Sequence, residues 1–182
     1  MRKSIVVSGV VLVALCAAAF PAFAQDPVRI NVACPTEWCG EYIVTTDQPL
    51  VLWYVWGATT KGLTREFIKK SDQTLTLRRG TQEVWSMNAE QIRAAFWPVY
   101  EVTAESWGFD CPMPWMHEAY YEIEIPPLDE GSYTLEWTQS FAQPVNDGLH
   151  ACTDISGWGD MPTPSLYRGE QGHTVNTIFV TE

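Results

Sequence analysis

The sequence predicts an all-β protein in which two sheets pack face to face as a sandwich, with one or two short helices and long loops pinned by disulfides. Segments rich in β-branched and aromatic residues recur about every ten residues with turn residues between them, which is typical of sandwich strands. Helical periodicity is scarce, and no repeat or low-complexity tract divides the chain. One domain is therefore expected.

Alternation and turn chemistry define the individual strands. The first segment, Val28–Cys34, alternates apolar and polar residues as a half-buried strand does. The turn Asp47–Pro49 separates the second strand from the third, and Gly80–Thr81 is typical of a hairpin turn. The predicted strands are Val28–Cys34, Glu41–Thr46, Leu50–Trp56, Thr74–Arg79, Gln82–Ser86, Val99–Thr103, Ala119–Ile125, Ser132–Ser140 and His173–Thr181.

The segment Ala119–Ile125 shows the two faces of a strand clearly. Tyr121 and the two isoleucines that follow it occupy one face, and Glu122 and Glu124 occupy the other. Because side chains alternate along a strand, the apolar face is predicted to cover the core and the acidic face to meet solvent.

Two short helices interrupt the strands. Asn88–Gln91 has the form of a capping box, so Ala89–Phe96 is predicted to be helical. Thr64–Lys70 is predicted to form a second short helix. Residues 104–118 and 141–172 are rich in Gly and Pro and indicate long loops, which in a compact domain are either functional or pinned.

A local motif sharpens the fold class. Leu128–Leu135 reads LDEGSYTL, the L-D-x-G-x-Y form that opens a late strand in many immunoglobulin-like sandwiches. Gly131 permits the turn, and the Tyr133 hydroxyl can return to a backbone group a few residues upstream, as in a tyrosine corner. Leu135 stands where antibody-type domains place a cysteine. The resemblance implies an immunoglobulin-like two-sheet sandwich over residues 25–182.

A second resemblance concerns a possible ligand. The strand GSYTLEW, followed by Asp147–His150, resembles the closing part of periplasmic copper-resistance β-sandwich proteins, where a Gly-x-Tyr-x-x-x-Trp strand precedes an Asp-Gly-His element. Here Leu149 intervenes before the histidine, and the family's N-terminal histidine is absent because the mature chain is expected to begin near Gln25. The resemblance implies a periplasmic β-sandwich and copper as its ligand.

The first 24 residues have the pattern of a secretory signal peptide. Arg2 and Lys3 precede a short apolar run, and Ala22–Ala24 has the small-x-small form of a cleavage site. A lipoprotein is the alternative at Cys16, although Leu15 is a poor residue before a lipidated cysteine. No later segment has the roughly 20 apolar residues of a membrane span, so a secreted or periplasmic protein is expected.

Charge and cysteine content narrow the partners. Without the leader the chain carries 9 basic against 22 acidic residues, a net charge of −13, so nucleic acid is an unsuitable partner. The loop aspartates show no calcium-loop spacing, which favours a solvated acidic surface. Four cysteines remain, an even number that indicates two disulfides in an exported chain. The preferred pairings are Cys34–Cys39 and Cys111–Cys152.

The stretch Cys111–His117, CPMPWMH, contains residues that could bind a soft metal. Met113, Met116 and His117 offer the thioether and imidazole ligands that Cu(I) prefers, and His150 could join them if the second disulfide draws the loops together. Met161 is a further candidate. The alternative is that the prolines stiffen this loop while its methionines and tryptophan cover the core.

The tryptophans indicate a binding surface instead. Exposed aromatic rings form flat platforms for sugar rings or for a protein partner. Four of the nine tryptophans fall at the ends of strands or in loops and are the platform candidates: Trp97, Trp107, Trp115 and Trp158.

Signatures of catalysis are missing from the sequence. It contains no Gly-x-Ser-x-Gly elbow, no His-Glu-x-x-His motif and no glycine-rich phosphate loop. The sequence therefore predicts a secreted, non-catalytic binding or surface-associated structural module for a glycan or an extracellular protein, with no cofactor. The alternatives are a periplasmic copper-binding protein and an extracellular hydrolase that uses paired carboxylates.

Overall fold

The structure, a computed structural model, describes residues 25–34, 39–155 and 166–182. The predicted leader, residues 1–24, lies outside the described residues, as do Trp158 and Met161. The helices are α1 Lys61–Lys70 and α2 Ala89–Ala95. The strands are β1 Val28–Asn31, β2 Glu41–Thr45, β3 Leu50–Ala58, β4 Ser71–Arg79, β5 Gln82–Met87, β6 Tyr100–Thr103, β7 Phe109–Asp110, β8 Trp115–Ile125, β9 Gly131–Asn146, β10 Thr153–Asp154 and β11 Leu166–Thr181.

These strands form two main sheets, and the all-β prediction is confirmed. The four-stranded sheet has the order β1-β3-β8-β6, and the five-stranded sheet has the order β2-β11-β9-β4-β5. Strand β1 pairs in parallel with β3, and β2 pairs in parallel with β11, whereas the other neighbours are antiparallel. A short ladder joins β7 to β10. No helix of the described residues combines the length and apolar character needed to cross a membrane.

The hydrophobic core lies between the two sheets. Every second residue of the central strands points inward, and Leu52 and Ile125 of the four-stranded sheet are buried together with Leu77 and Leu135 of the other sheet. Full burial of each such side chain stabilises the fold by about 1.5–3 kcal/mol.

A buried hydrogen-bond network crosses this core. Gln73 Oε1 accepts from the Tyr121 hydroxyl at 2.9 Å and from the Trp137 indole N–H at 3.1 Å. Gln139 Nε2 donates to the Tyr54 hydroxyl at 3.0 Å. Gln73 and Gln139 belong to the five-stranded sheet, while Tyr54 and Tyr121 belong to the four-stranded sheet. The network therefore fixes the position of one sheet on the other.

The helices close the sandwich and begin at good caps. Thr60 accepts from the Leu63 N–H at the start of α1, and Phe67 of the same helix is fully buried against the Trp56 ring, with centroids 3.9 Å apart. The predicted capping box of α2 is present. Asn88 Oδ1 accepts from the Gln91 N–H at 3.1 Å, and the Gln91 side chain accepts from the Asn88 N–H at 2.9 Å.

The corner before β9 has the predicted hydrogen bond. The Tyr133 hydroxyl donates to the Asp129 carbonyl at 2.8 Å, four residues upstream. Gly131 adopts a positive φ of 155°, a backbone conformation that glycine reaches without strain.

The loops are shorter than expected. Residues 104–118 were predicted to be a loop, but β8 begins at Trp115. Residues 141–172 were also predicted to be a loop, but β9 continues to Asn146 and β11 begins at Leu166. The sequence pattern does not reveal the start of β11, because residues 166–172 contain glycines and show no regular alternation. This part of the strand is defined by its hydrogen bonds to β9, which include two register shifts.

Both predicted disulfides are present. Cys34–Cys39 closes a short loop, and Cys111–Cys152 joins segments 41 residues apart. The second disulfide borders a small apolar cluster around Met116, Ala104 and Leu149, which is separate from the main core. Cys111 and Met116 of the CPMPWMH segment therefore contact a second, smaller core, whereas Met113 and Trp115 are exposed.

Candidate ligand-binding surface

Strand β8 exposes a polar and aromatic face on the side of the four-stranded sheet away from the core. Ala119 and Tyr121 are fully buried, so the alternating residues Glu118, Tyr120 and Glu122 lie on the outer face. All three are partly exposed. The predicted separation of acidic and apolar faces in this strand is confirmed and extends toward its start.

Trp97 joins this face from the segment after α2. Its backbone N–H donates to the Tyr120 carbonyl at 2.8 Å. Its indole packs edge to face on the Tyr120 ring, with centroids 4.8 Å apart and an interplanar angle of 77°. The Trp97 side chain nevertheless remains 47% exposed, so a ligand can reach it.

Glu118 interacts with two aromatic side chains. The Trp107 indole N–H donates a hydrogen bond to Glu118 Oε1 at 2.6 Å. Tyr100 lies directly opposite Glu118 in the β6–β8 register. Burial raises the pKa of Tyr100, and the neighbouring Glu118 carboxylate raises that pKa further. Tyr100 is still 39% exposed.

Trp107 occupies its place because Gly57 has no side chain. A Cβ atom at Gly57 would lie 3.2 Å from the Trp107 ring and 2.9 Å from the Met116 methyl carbon. The short 3₁₀ helix Ala104–Trp107 therefore places its tryptophan against β3 at Gly57. This brings the indole N–H to Glu118.

Glu122 has a different environment because a cation neutralises it. Arg29 of β1 forms an ion pair with Glu122 and donates to the Tyr120 hydroxyl at 2.8 Å. The Tyr120 hydroxyl also donates to Glu122. These bonds, first that from Tyr120 and then that from Arg29, lower the pKa of Glu122, and the same ion pair raises the pKa of Arg29.

Together these residues form one continuous surface, which we call the aromatic face. Its members share the outer side of the four-stranded sheet and fall into two neighbouring groups: Tyr100, Trp107 and Glu118 in one, and Trp97, Tyr120, Glu122 and Arg29 in the other. Such a surface can stack a sugar or other flat ring, while its carboxylates accept hydrogen bonds from hydroxyl or ammonium donors.

Two of the predicted platform tryptophans belong to the aromatic face, and one does not. Trp97 and Trp107 are members. Trp115 is 45% exposed and pairs with Thr103 at the start of β8, but it lies five residues before Tyr120 and therefore faces the opposite side of the strand. Trp158 lies outside the described residues.

The candidate copper ligands are not in similar environments. Met113 is 64% exposed, whereas Met116 is fully buried in the small apolar cluster. His117 follows Met116 in the same strand and so faces the opposite side of the sheet. Its Nε2 atom lies 3.6 Å from Glu101 Oε2. His150 is exposed in a 3₁₀ turn. Copper binding stays a prediction.

No group of three or more His, Cys, Asp or Glu side chains in the described part of the chain is arranged to hold a metal ion. These four residue types do not include methionine, so the observation bears mainly on hard and borderline metals and not on a copper site with methionine ligands.

Most of the polar residues of the aromatic face were not predicted from the sequence to be site residues. Tyr120 already falls on the outer face of the predicted strand Ala119–Ile125, but Glu118 is recognisable only when that strand is extended back by one residue, and Tyr100 only when β6 is paired with β8. Arg29 could not be assigned, because its contact with Glu122 spans 93 positions of sequence.

No protein-family model matches this chain, and no curated protein matches it.

Proposed function

We propose that the protein is an exported, immunoglobulin-like, non-catalytic module that binds a glycan on the aromatic face. The observation that carries this proposal is the exposure of Trp97 and Tyr100 beside carboxylates on one sheet surface. A ligand ring that stacks on an exposed aromatic side chain buries apolar surface, which is favourable, and polar groups beside the aromatic ring orient the ligand.

Support for the immunoglobulin-like class comes from two packed sheets and the Tyr133–Asp129 hydrogen bond of a tyrosine corner. Support for export comes from the leader pattern of residues 1–24 and from two disulfides, which are typical of oxidising compartments.

The spacing of the carboxylates favours binding over hydrolysis. Glu118 and Glu122 are four residues apart on one strand, so their Cα atoms are separated by about 13 Å, and side chains on one face of a strand leave it roughly in parallel. Glycosidases that use two carboxylates hold them about 5–9.5 Å apart across the scissile bond. Both carboxylates are also engaged by neighbouring side chains.

A panel of soluble polysaccharides tests the proposal by affinity gel electrophoresis of the mature chain, residues 25–182, with its disulfides formed. We expect retardation by at least one glycan, and we expect Trp97→Ala and Tyr100→Ala each to weaken binding about tenfold, since one ring contact is worth about 1.5 kcal/mol.

Trp115→Ala is the matched control, because Trp115 is about as exposed as Trp97 but lies outside the aromatic face. The proposal fails if the glycan panel leaves mobility unchanged, or if Trp115→Ala weakens binding as much as Trp97→Ala does.

A further inference from the structure

The two glutamates of the aromatic face differ in how their charge is balanced. Glu122 is paired with Arg29. Glu118 accepts from the Trp107 indole and lies opposite Tyr100, both neutral groups. Within the described ranges, no Lys, Arg or His side chain forms an ion pair with Glu118.

Glu118 also has room for another donor. A carboxylate offers about four lone-pair positions, and the bond from the Trp107 indole occupies one of them. Glu118 is only partly buried, so a ligand group can approach it from the outer side.

The surroundings of Glu118 favour a cation at that position. The neighbouring aromatic groups, the Trp107 indole and the Tyr100 side chain opposite Glu118, bring no positive charge to the carboxylate. An ammonium group would gain a charge-assisted hydrogen bond at this position. The mature net charge of −13 acts in the same direction, because it attracts polycations and repels anionic polysaccharides.

We infer that the glycan bound on the aromatic face is an amino-sugar polymer with free, unacetylated amines, whose ammonium groups bind at Glu118. This inference rests on the proposed glycan function. In such a polymer the charged nitrogen is attached to the sugar ring itself. A ring that stacks on Trp97 or Tyr100 can therefore present its ammonium group to the same surface.

Isothermal titration calorimetry of the mature chain compares its affinity for three ligands: the glucosamine hexamer, the N-acetylglucosamine hexamer and cellohexaose. We expect the wild type to bind the glucosamine hexamer about tenfold more tightly than the other two, since a hydrogen bond to a charged group is worth about that factor. The preference should shrink as salt is raised, because ionic contacts are screened.

Glu118→Gln keeps the size of the side chain and removes its charge, and we expect it to lower affinity for the glucosamine hexamer about tenfold. Glu124→Gln is the matched control, because Glu124 is an exposed glutamate of the same strand outside the aromatic face. Circular dichroism of both variants checks that each is folded.

The outcomes separate the two proposals. Binding of none of the hexamers or panel polysaccharides contradicts the glycan function itself. Equal affinity for acetylated and free-amine hexamers leaves glycan binding intact and overturns the role of Glu118, as does an undiminished preference in Glu118→Gln. Hexalysine bound as tightly as the glucosamine hexamer also overturns the inference, since the ligand would then be a cationic peptide.

Discussion

Gln73 accepts a hydrogen bond that joins the two sheets and a second one from its own sheet, and replacing it with leucine tests that role. In Gln73→Leu the Tyr121 hydroxyl and the Trp137 indole N–H lose their shared acceptor. Both side chains are almost fully buried, so water cannot easily replace that acceptor. Each buried donor left unsatisfied costs about 1–3 kcal/mol, which gives a loss of about 2–6 kcal/mol.

The loss is measured by urea unfolding of the oxidised protein, followed by tryptophan fluorescence. For a chain of this length the expected loss corresponds to a fall in Tm of about 4–24 °C. Tyr121→Phe is the control, because it removes one donor while Gln73 keeps its bond from Trp137. We expect that control to cost only about 0.5–1.5 kcal/mol.

The reasoning is refuted if Gln73→Leu costs no more than Tyr121→Phe. That result would mean that leucine packing compensates for the lost acceptor and that apolar burial alone aligns the sheets.

Three further predictions concern stability. Replacing both cysteines of Cys111–Cys152 with alanine should lower the free energy of unfolding by about 4 kcal/mol in the loop-entropy picture, against about 2 kcal/mol for the shorter bridge, Cys34–Cys39. Equal losses for the two bridges in chemical unfolding would contradict this prediction. Gly172→Ala places a Cβ atom 2.4 Å from the buried Trp137 ring and should cost about 1–3 kcal/mol, whereas Gly40→Ala, with no neighbour within 4 Å, should change Tm by little. Burial raises the pKa of Tyr54 above its ordinary 10.0, so the folded state keeps protons that the unfolded state loses. This contribution to the free energy of unfolding is complete below about pH 10 and is lost as the pH rises above that value, so phenolate absorbance should rise together with unfolding. Buried tyrosines that ionise normally in the folded state would refute the argument.

Local chemistry made several elements predictable. The capping box at Asn88 and the tyrosine corner at Tyr133 each depend on residues a few positions apart, so the printed sequence contains the whole interaction. The alternation of Ala119–Ile125 predicted which face meets the core. The disulfide pairing was the preferred solution among three and is the one present.

Long-range register could not be read from the sequence. The aromatic face depends on the pairing of β6 with β8 and on the contact of Arg29 with Glu122, and neither has a local signal. The position of Trp107 depends on the missing side chain of Gly57, some fifty residues earlier in the chain.

The copper hypothesis illustrates a related limit: residues that are adjacent in the sequence need not lie on the same face of a sheet. Met116 and His117 are adjacent in sequence, which makes them look like a common ligand set. A strand sends neighbouring side chains to opposite faces, and Met116 is buried in the small apolar cluster. Sequence proximity therefore says little about shared coordination once the segment is a strand.

The most direct test of glycan binding on the aromatic face is a ¹H–¹⁵N NMR titration that follows the nine indole N–H signals. The glucosamine hexamer and cellohexaose serve as ligands in turn. Binding at this surface predicts that the Trp97 and Trp107 signals move with ligand concentration, while that of the buried Trp137 stays fixed. Movement of the Trp115 signal alone, or no movement at saturating concentrations of either sugar, would contradict it.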